Sequence, residues 1–348
     1  MNALIFYDNE DIRFETAPEP GLMDQRDAVV RVSTSSICTS DIHIRHHGRQ
    51  MQVKPGTILG HEFVGIVEEV GSRVVSFSRG DRVAVSCTYS CGECYFCRMG
   101  IPSQCERGAC FGAMGDGTNH GAHAEFIKVP YAERGMHRIP DDLSDNEVLF
   151  AGDILSTGFF GVDQGGVKEG DTVVVLGAGP VGMCAMMAAR LRGARTVIAI
   201  EKNEYRRAVI VRQGLADTII SPAAEKPTRV IKELTQGRGA DIVIDAAGDS
   251  LGFGMVFDLA RRGGVVSLLG VYNQTVQFPI YRYWWKNITV KMGMVETSCM
   301  EELLKFITEG RISTRFLITH ELPFGEIVRA YDIMEDKSTE VLKIAIKY

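Results

Sequence analysis

Residues 28–32, 63–70 and 82–86 are short β-branched runs punctuated by Gly71, Gly80 and Asp81, a pattern that predicts a compact strand-rich unit. After about residue 155 the texture changes. Apolar strands alternate with helical stretches: a strand over 172–176, a helix over 181–192, a strand over 196–201 and a helix over 204–213. The rhythm continues with a helix over 228–235, a strand over 241–246, a helix over 254–261 and a strand over 265–269. Such alternation builds a parallel sheet covered by helices, and it is the rhythm of a six-stranded nucleotide-binding domain. The remaining stretch, with helices near 300–309 and 325–336 and a strand over 341–346, is too short for a third core and is expected to return to the first domain. The expected organisation is therefore α/β in two domains: residues 1–154 completed by 292–348, and residues 155–291.

The strand over 173–176 runs into Gly177-Ala178-Gly179-Pro180-Val181-Gly182, a G-x-G-x-x-G pattern set between a strand and a helix. There Gly177 permits the tight turn, Gly179 lets a pyrophosphate approach the backbone, and Gly182 lets the helix pack on the strand with its amino end toward the phosphates. Glu201 closes the next strand about twenty residues on, where an acid accepts hydrogen bonds from an adenosine ribose. Its charge repels a 2′-phosphate, so NAD is the expected cofactor. Lys202, Arg206 and Arg207 follow at once and suit a phosphate, which keeps NADP open. The competing reading is a structural turn followed by a surface glutamate.

A chain of 348 residues that is 45% hydrophobic has material for two cores. With 24% charged residues and a net charge of −6, overall electrostatics favour neither nucleic acid nor an anionic membrane as partner. The uncharged stretch 172–189 is broken by Gly177, Gly179, Pro180 and Gly182, so it reads as a turn and not a membrane span. The amino-terminal residues show no export signal. Five of the nine cysteines have metal-ligand spacing, so reduced thiolates in a cytoplasmic protein fit better than disulfides.

Cys91, Cys94, Cys97 and Cys105 form C-x2-C-x2-C-x7-C in a glycine-containing loop, a set that completes a closed tetrahedral zinc shell. Free thiols or an iron–sulfur cluster are the alternatives. A second, dispersed constellation comprises Cys38 in Cys38-Thr39-Ser40-Asp41-Ile42-His43, the pair His61-Glu62 after Gly60, and Asp153 before Ser156-Thr157-Gly158. Any one of these alone is more often a core or capping residue.

With the thiolate loop, Gly60-His61-Glu62 and the glycine turn in this order, the chain resembles the zinc-containing medium-chain dehydrogenase/reductase superfamily along essentially its whole length. The resemblance implies a GroES-like catalytic domain and a Rossmann domain. It implies a catalytic zinc on Cys38, His61 and Asp153, with Glu62 as a nearby or alternating ligand and the substrate oxygen in the remaining position. A structural zinc in the thiolate loop makes two zinc ions per chain. Three protein ligands leave zinc one open site, where it acts as a Lewis acid on an alcohol or carbonyl. By the same resemblance Ser40 receives the alcohol proton and passes it through the cofactor ribose to His43, and Asp41 orients His61. Pro180 and Val181 open the helix over the pyrophosphate. Thr157 and the backbone of Leu269, Gly270 and Val271 hold the nicotinamide, and Lys343 reaches the pyrophosphate, unless it is a solvated strand lysine.

His46, His47, His120, His123, His137 and His320 are expected to be surface or structural, and Cys87, Cys110, Cys184 and Cys299 to be inert, although Cys87 matches a substrate-pocket position. The stretches around Cys105-Glu106-Arg107-Gly108, Gly121-Ala122-His123-Ala124-Glu125-Phe126 and Gly152-Asp153 resemble the formaldehyde-dehydrogenase-like branch. The Cys38 segment is more similar to bacterial secondary alcohol dehydrogenases. The chain shows no room for the inserted loop of glutathione-independent formaldehyde dehydrogenases, so an ordinary alcohol or ketone with exchanging NAD(H) is expected. A formaldehyde dehydrogenase or aldehyde dismutase, a polyol or amino-alcohol dehydrogenase, and a non-enzymatic cofactor-binding relative are the alternatives. The aromatic run Tyr281, Tyr283, Trp284 and Trp285 fits core packing, a pocket wall or a subunit contact. The family implies a homo-dimer or homo-tetramer.

Overall fold

A computed structural model describes residues 1–113, 119–272, 274–336 and 338–348. The chain divides into two units, Met1–Ser156 with Glu296–Tyr348, and Thr157–Val295. The changeovers fall at 156/157 and 295/296, against the expected 154/155 and 291/292.

The first unit is built on a seven-stranded sheet. Its long strand Ala28–Ser36 pairs antiparallel with Glu62–Val70, Phe126–Val129 and the terminal strand Lys343–Lys347. Alternate residues Ala28, Val30 and Val32 turn into a core with Phe63, Val67, Val83, Val85 and Phe111. Burying each large aliphatic or aromatic side chain there contributes about 1.5–3 kcal/mol. A second cluster joins Leu4, Phe6, Ile37 and Ile44 to Tyr331, Ile344 and Ile346, and so ties the carboxyl-terminal segment into this unit. Register places Ser36 opposite both Glu62 and Ala345, which brings Glu62 and Lys343 into one neighbourhood.

The second unit is a six-stranded parallel sheet in the order Thr218–Ile220, Thr196–Ile200, Thr172–Leu176, Ala240–Asp245, Ala260–Leu268, Thr289–Met292. The inner strand Thr172–Leu176 is buried at every position, as a parallel strand covered on both faces must be. The helix Glu204–Gln213 starts on Asn203, whose side chain accepts the Arg206 N–H, and stops at Gly214 in the left-handed region. The helix expected from 254 begins earlier, as Ser250–Leu259, because Asp249 caps it through the Gly252 N–H at 2.6 Å. The two edge strands lie outside the expected elements: Thr218–Ile220 is three residues long, and Thr289–Met292 is exposed throughout. Within the aromatic run Tyr283 belongs to the core, whereas Tyr281, Trp284 and Trp285 are exposed. Among the described residues no helix is long and apolar enough to cross a membrane.

Candidate active site

The short helix Thr39–His47 begins at Cys38, and Asp41 turns one carboxylate oxygen back to accept the Cys38 N–H at 2.8 Å. The other oxygen lies 3.2 Å from His61 Nδ1, so the Nε2 atom of that ring faces away, 3.4 Å from Asp153 Oδ2. Asp153 sits on a π turn, Ala151–Leu155, closed by the Leu155 N–H on the Phe150 carbonyl at 3.0 Å. Gly152 makes this possible, since a Cβ there would lie 2.0 Å from the Val85 carbonyl oxygen. A thiol, an imidazole and a carboxylate from three distant segments thus converge, with their ligand atoms within 4.8 Å of one another.

Both His61 and Asp153 are buried, and Cys38 is half-buried. Burial favours a neutral Asp153, yet the His61 ring beside it and the nearby Lys343 charge hold its carboxyl well below the usual carboxylate range. Burial likewise opposes a charged His61, and the Asp41 carboxylate more than offsets it. Asp153 Oδ2 is buried without a hydrogen-bond partner among the described residues. One sulfur, one nitrogen and one orphaned carboxylate oxygen form the mixed three-donor set that suits a zinc ion with an open fourth position.

Lys343 is not a solvated strand lysine. It is 2% exposed and donates to the Glu62 carboxylate and, at 3.1 Å, to the Ile37 carbonyl, with its ammonium over the Phe150 ring. The terminal strand is zipped to Ala28–Ser36, which turns Lys343 into the interior behind Glu62. Burial pushes the Glu62 carboxyl up to about 8 despite that neighbouring ammonium.

Ser40 Oγ stands 3.1 Å from His61 Nε2, beside the donor set. His43 is half-buried, and burial together with His47 and His46 lowers its pKa, so the ring is neutral and can accept a proton. Cys87 is fully buried, and burial and the Asp153 carboxylate raise its thiol pKa well above the ordinary value. His123, expected to be surface or structural, is completely buried, with Nε2 3.9 Å from Asp41 Oδ2 and its ring against Gly60. Its Nδ1 lies 3.2 Å from Ser35 Oγ.

The thiolate loop gathers separately. Cys105 Sγ lies 3.4 Å from Cys91 Sγ and 3.8 Å from Cys94 Sγ, close to the ~3.8 Å edge of a tetrahedron with ~2.3 Å metal–sulfur bonds. The N–H groups of Cys91 and Arg107 point at Cys105 Sγ from 3.2 and 3.4 Å, as donors do toward a thiolate. All nine cysteines are free of disulfides.

In the second unit Gly177 takes φ +86°, a left-handed turn that side chains resist. Gly182 packs so closely that a Cβ would lie 2.0 Å from the Gly177 carbonyl oxygen. Gly179, by contrast, has only an Arg206 guanidinium nitrogen, at 3.8 Å, within reach of a Cβ, an open cradle at the start of the helix Pro180–Leu191. Glu201 is buried and accepts the N–H groups of Ala178 and Asn203, both at 2.7 Å, so it shapes the turn as well as bordering it. Arg206 overhangs the turn and Lys202 is exposed, whereas Arg207 donates to the Glu201 and Lys202 carbonyls. Thr157 opens this unit, and Leu269, Gly270 and Val271 follow the strand Ala260–Leu268.

This pairing of a β-rich unit carrying two metal-competent donor sets with a parallel dinucleotide-type sheet defines a class of metal-assisted oxidoreductases. The alcohol dehydrogenase GroES-like domain model matches residues 24–141, and the zinc-binding dehydrogenase model matches residues 180–309. An alcohol dehydrogenase of Cupriavidus necator is 34% identical over 368 residues, covering 100% of this chain and 98% of its own. The solved alcohol dehydrogenase TADH from Thermus sp. ATN1 matches with a TM-score of 0.93 at 34% identity, covering 100% of this chain and 99% of its own. A Sinorhizobium meliloti 1021 protein solved bound to NADP matches with a TM-score of 0.87 at 26% identity, covering 100% and 99%. The chain belongs to the zinc-containing medium-chain dehydrogenases/reductases and is an oxidoreductase of the alcohol dehydrogenase type.

Proposed function

We propose that this protein is a zinc-containing, NAD(H)-dependent alcohol dehydrogenase that moves a hydride between nicotinamide and the carbon of a small alcohol, ketone or aldehyde. The observation that carries this reading is the convergence of Cys38, His61 and Asp153 around an orphaned carboxylate oxygen, in one chain with an open glycine cradle. Those three residues would hold one zinc, with Glu62 beside them, and Cys91, Cys94, Cys97 and Cys105 a second. When bound, the first ion supplies Lewis acidity that eases loss of an alcohol proton or polarises a carbonyl. Asp41 fixes the His61 ring so that Nε2 faces the metal position. Ser40 takes the hydroxyl proton as it hands its own on toward His43, which is kept neutral by its surroundings and releases the proton to solvent.

Gly177, Gly179, Pro180, Val181 and Gly182 would seat the pyrophosphate, and Thr157 with Leu269, Gly270 and Val271 the nicotinamide. The Glu201 charge favours NAD, while Lys202 and Arg206 keep NADP as a second cofactor. Lys343 serves the metal site through Glu62. Nine cysteines with no disulfide among them suit a reducing, cytoplasmic setting. Exposed Tyr281, Trp284 and Trp285 suit a contact in a homo-dimer or homo-tetramer.

The test is a panel of primary and secondary alcohols, polyols, amino alcohols and formaldehyde, with NAD and NADP in turn, read by absorbance of reduced cofactor on zinc-analysed protein. Turnover of simple alcohols with NAD is expected. Zinc-loaded protein that binds cofactor but turns over none of the panel would be a binding relative, and formaldehyde consumed without net cofactor reduction would make it a dismutase.

A further inference from the structure

Asp245 ends the inner strand Ala240–Asp245 and is fully buried. Its main-chain carbonyl accepts the N–H groups of Leu269 at 2.8 Å and Gly270 at 2.9 Å, across in the next loop. Its side-chain Oδ1 accepts the N–H groups of Ala247 at 2.9 Å and Gly248 at 3.3 Å in its own loop. Oδ2 accepts the hydroxyl of Tyr272, which lies just beyond Val271. One residue therefore binds both loops at the carboxyl edge of two adjacent parallel strands.

The loops also interlock through their backbones. A Cβ at Gly270 would lie 2.2 Å from the Gly248 nitrogen, and one at Gly248, where φ is +66°, would lie 2.7 Å from the Val271 carbonyl oxygen. Ligands of open α/β sheets bind outside the carboxyl ends of their strands, so this staple sits where a cofactor is held. A buried carboxylate is costly unless its oxygens are satisfied, and here backbone donors and a phenol satisfy them.

We propose that Asp245 and Tyr272 are positioning residues that fix the backbone of residues 269–271 for the nicotinamide end of the dinucleotide. The inference rests on the assignment of that loop to the nicotinamide. Tyr272 supplies the side-chain tie between the loops. Its ring also packs edge-on against Phe253, with centroids 5.7 Å apart, so Tyr272→Phe keeps the packing and removes only the hydroxyl.

The experiment titrates zinc-loaded wild-type and Tyr272→Phe protein with NADH and with ADP-ribose, which lacks the nicotinamide, and records thermal unfolding of both. The wild type is expected to bind NADH more tightly than ADP-ribose. The variant is expected to lose about tenfold in NADH affinity with ADP-ribose affinity unchanged, and to unfold at a somewhat lower temperature, because the hydroxyl also satisfies a buried carboxylate in the ligand-free fold. Equal losses for both ligands, or no loss for either, overturn the positioning role. A wild type that binds the two ligands equally overturns the loop assignment itself, and the positioning role with it.

Discussion

Lys343 donates to the carboxylate of Glu62 across 281 positions of sequence, and both side chains are shut away from solvent. The pair joins the terminal strand to the strand that follows the zinc-ligand candidate His61, so the end of the chain helps set the charge at the metal position.

Lys343→Met strands Glu62 in the interior without a counter-charge. Breaking a buried pair by removing one partner costs roughly 3–5 kcal/mol. The lower end is expected, because burial already pushes Glu62 up to about 8 and proton uptake gives partial relief. Urea unfolding measures the loss, and Lys343→Met combined with Glu62→Gln should recover most of it. A single variant as stable as wild type would mean that Lys343 and Glu62 do not stabilise the fold as an ion pair.

Ser40→Ala removes the hydroxyl beside His61 and no metal donor. The kcat is expected to fall by about 10²–10⁴-fold with zinc content unchanged. Burial and the neighbouring histidines lower the His43 pKa, so the ring stays neutral, and able to accept protons, to more acidic pH than a free imidazole. The acid limb of the kcat profile for alcohol oxidation should accordingly lie below about 6.5, and His43→Gln should remove it.

Metal analysis separates the two donor sets. Wild-type protein is expected to hold two zinc ions per chain, and Cys97→Ser and Asp153→Ala should each lose one. Losing the loop ion should lower the unfolding temperature, because that shell has no open position and contributes to folding directly. Losing the ion at Asp153 should abolish turnover. Equal zinc content in Cys97→Ser and wild type would remove the loop from the metal-binding residues.

The two units were unequally legible. In the second, buried parallel strands such as Thr172–Leu176 read as plain apolar runs, and the glycine turn with Glu201 points to a dinucleotide. The edge strand Thr289–Met292 did not show, because exposure at every position erases the apolar pattern. In the first unit the thiolate loop was legible from spacing alone. The convergence of Cys38, His61 and Asp153 was reached only through family resemblance, since contacts between distant segments leave no periodic trace. Lys343 shows the limit most clearly. As a lysine on a terminal strand it reads as solvated or phosphate-seeking, and only its strand pairing reveals that it faces Glu62.

Gly179 and Gly182 should respond differently to alanine. At Gly182 the new methyl would meet the Gly177 carbonyl oxygen at 2.0 Å, backbone against backbone, which costs about 1–3 kcal/mol. At Gly179 it meets only a mobile guanidinium nitrogen at 3.8 Å. Gly182→Ala is therefore expected to lower the unfolding temperature, whereas Gly179→Ala should fold normally and lose affinity for NADH and ADP-ribose alike. A Gly179→Ala variant that binds both as wild type would dissociate the turn from the pyrophosphate.

Asp145 gives a pH dependence whose sign can be worked out. It opens the short helix Asp145–Val148, accepts from Arg82 at 2.7 Å and from Ser33 at 2.6 Å, and its side chain is 23% exposed. Burial raises its pKa, but the Arg82 and Ser33 hydrogen bonds more than offset this and leave it below the usual aspartate value. A carboxyl whose folded pKa lies below its unfolded one stabilises the protein in full above the unfolded value, about 3.9, and loses that contribution as pH falls through the folded value. Asp145→Asn should therefore cost about 1–2 kcal/mol at pH 7, after allowance for partial exposure. The difference from wild type should shrink on acidification below pH ~4, as the wild-type carboxylate takes up its proton. Chemical unfolding of both proteins across that range measures it, and a gap constant with pH would assign the loss to packing instead of charge.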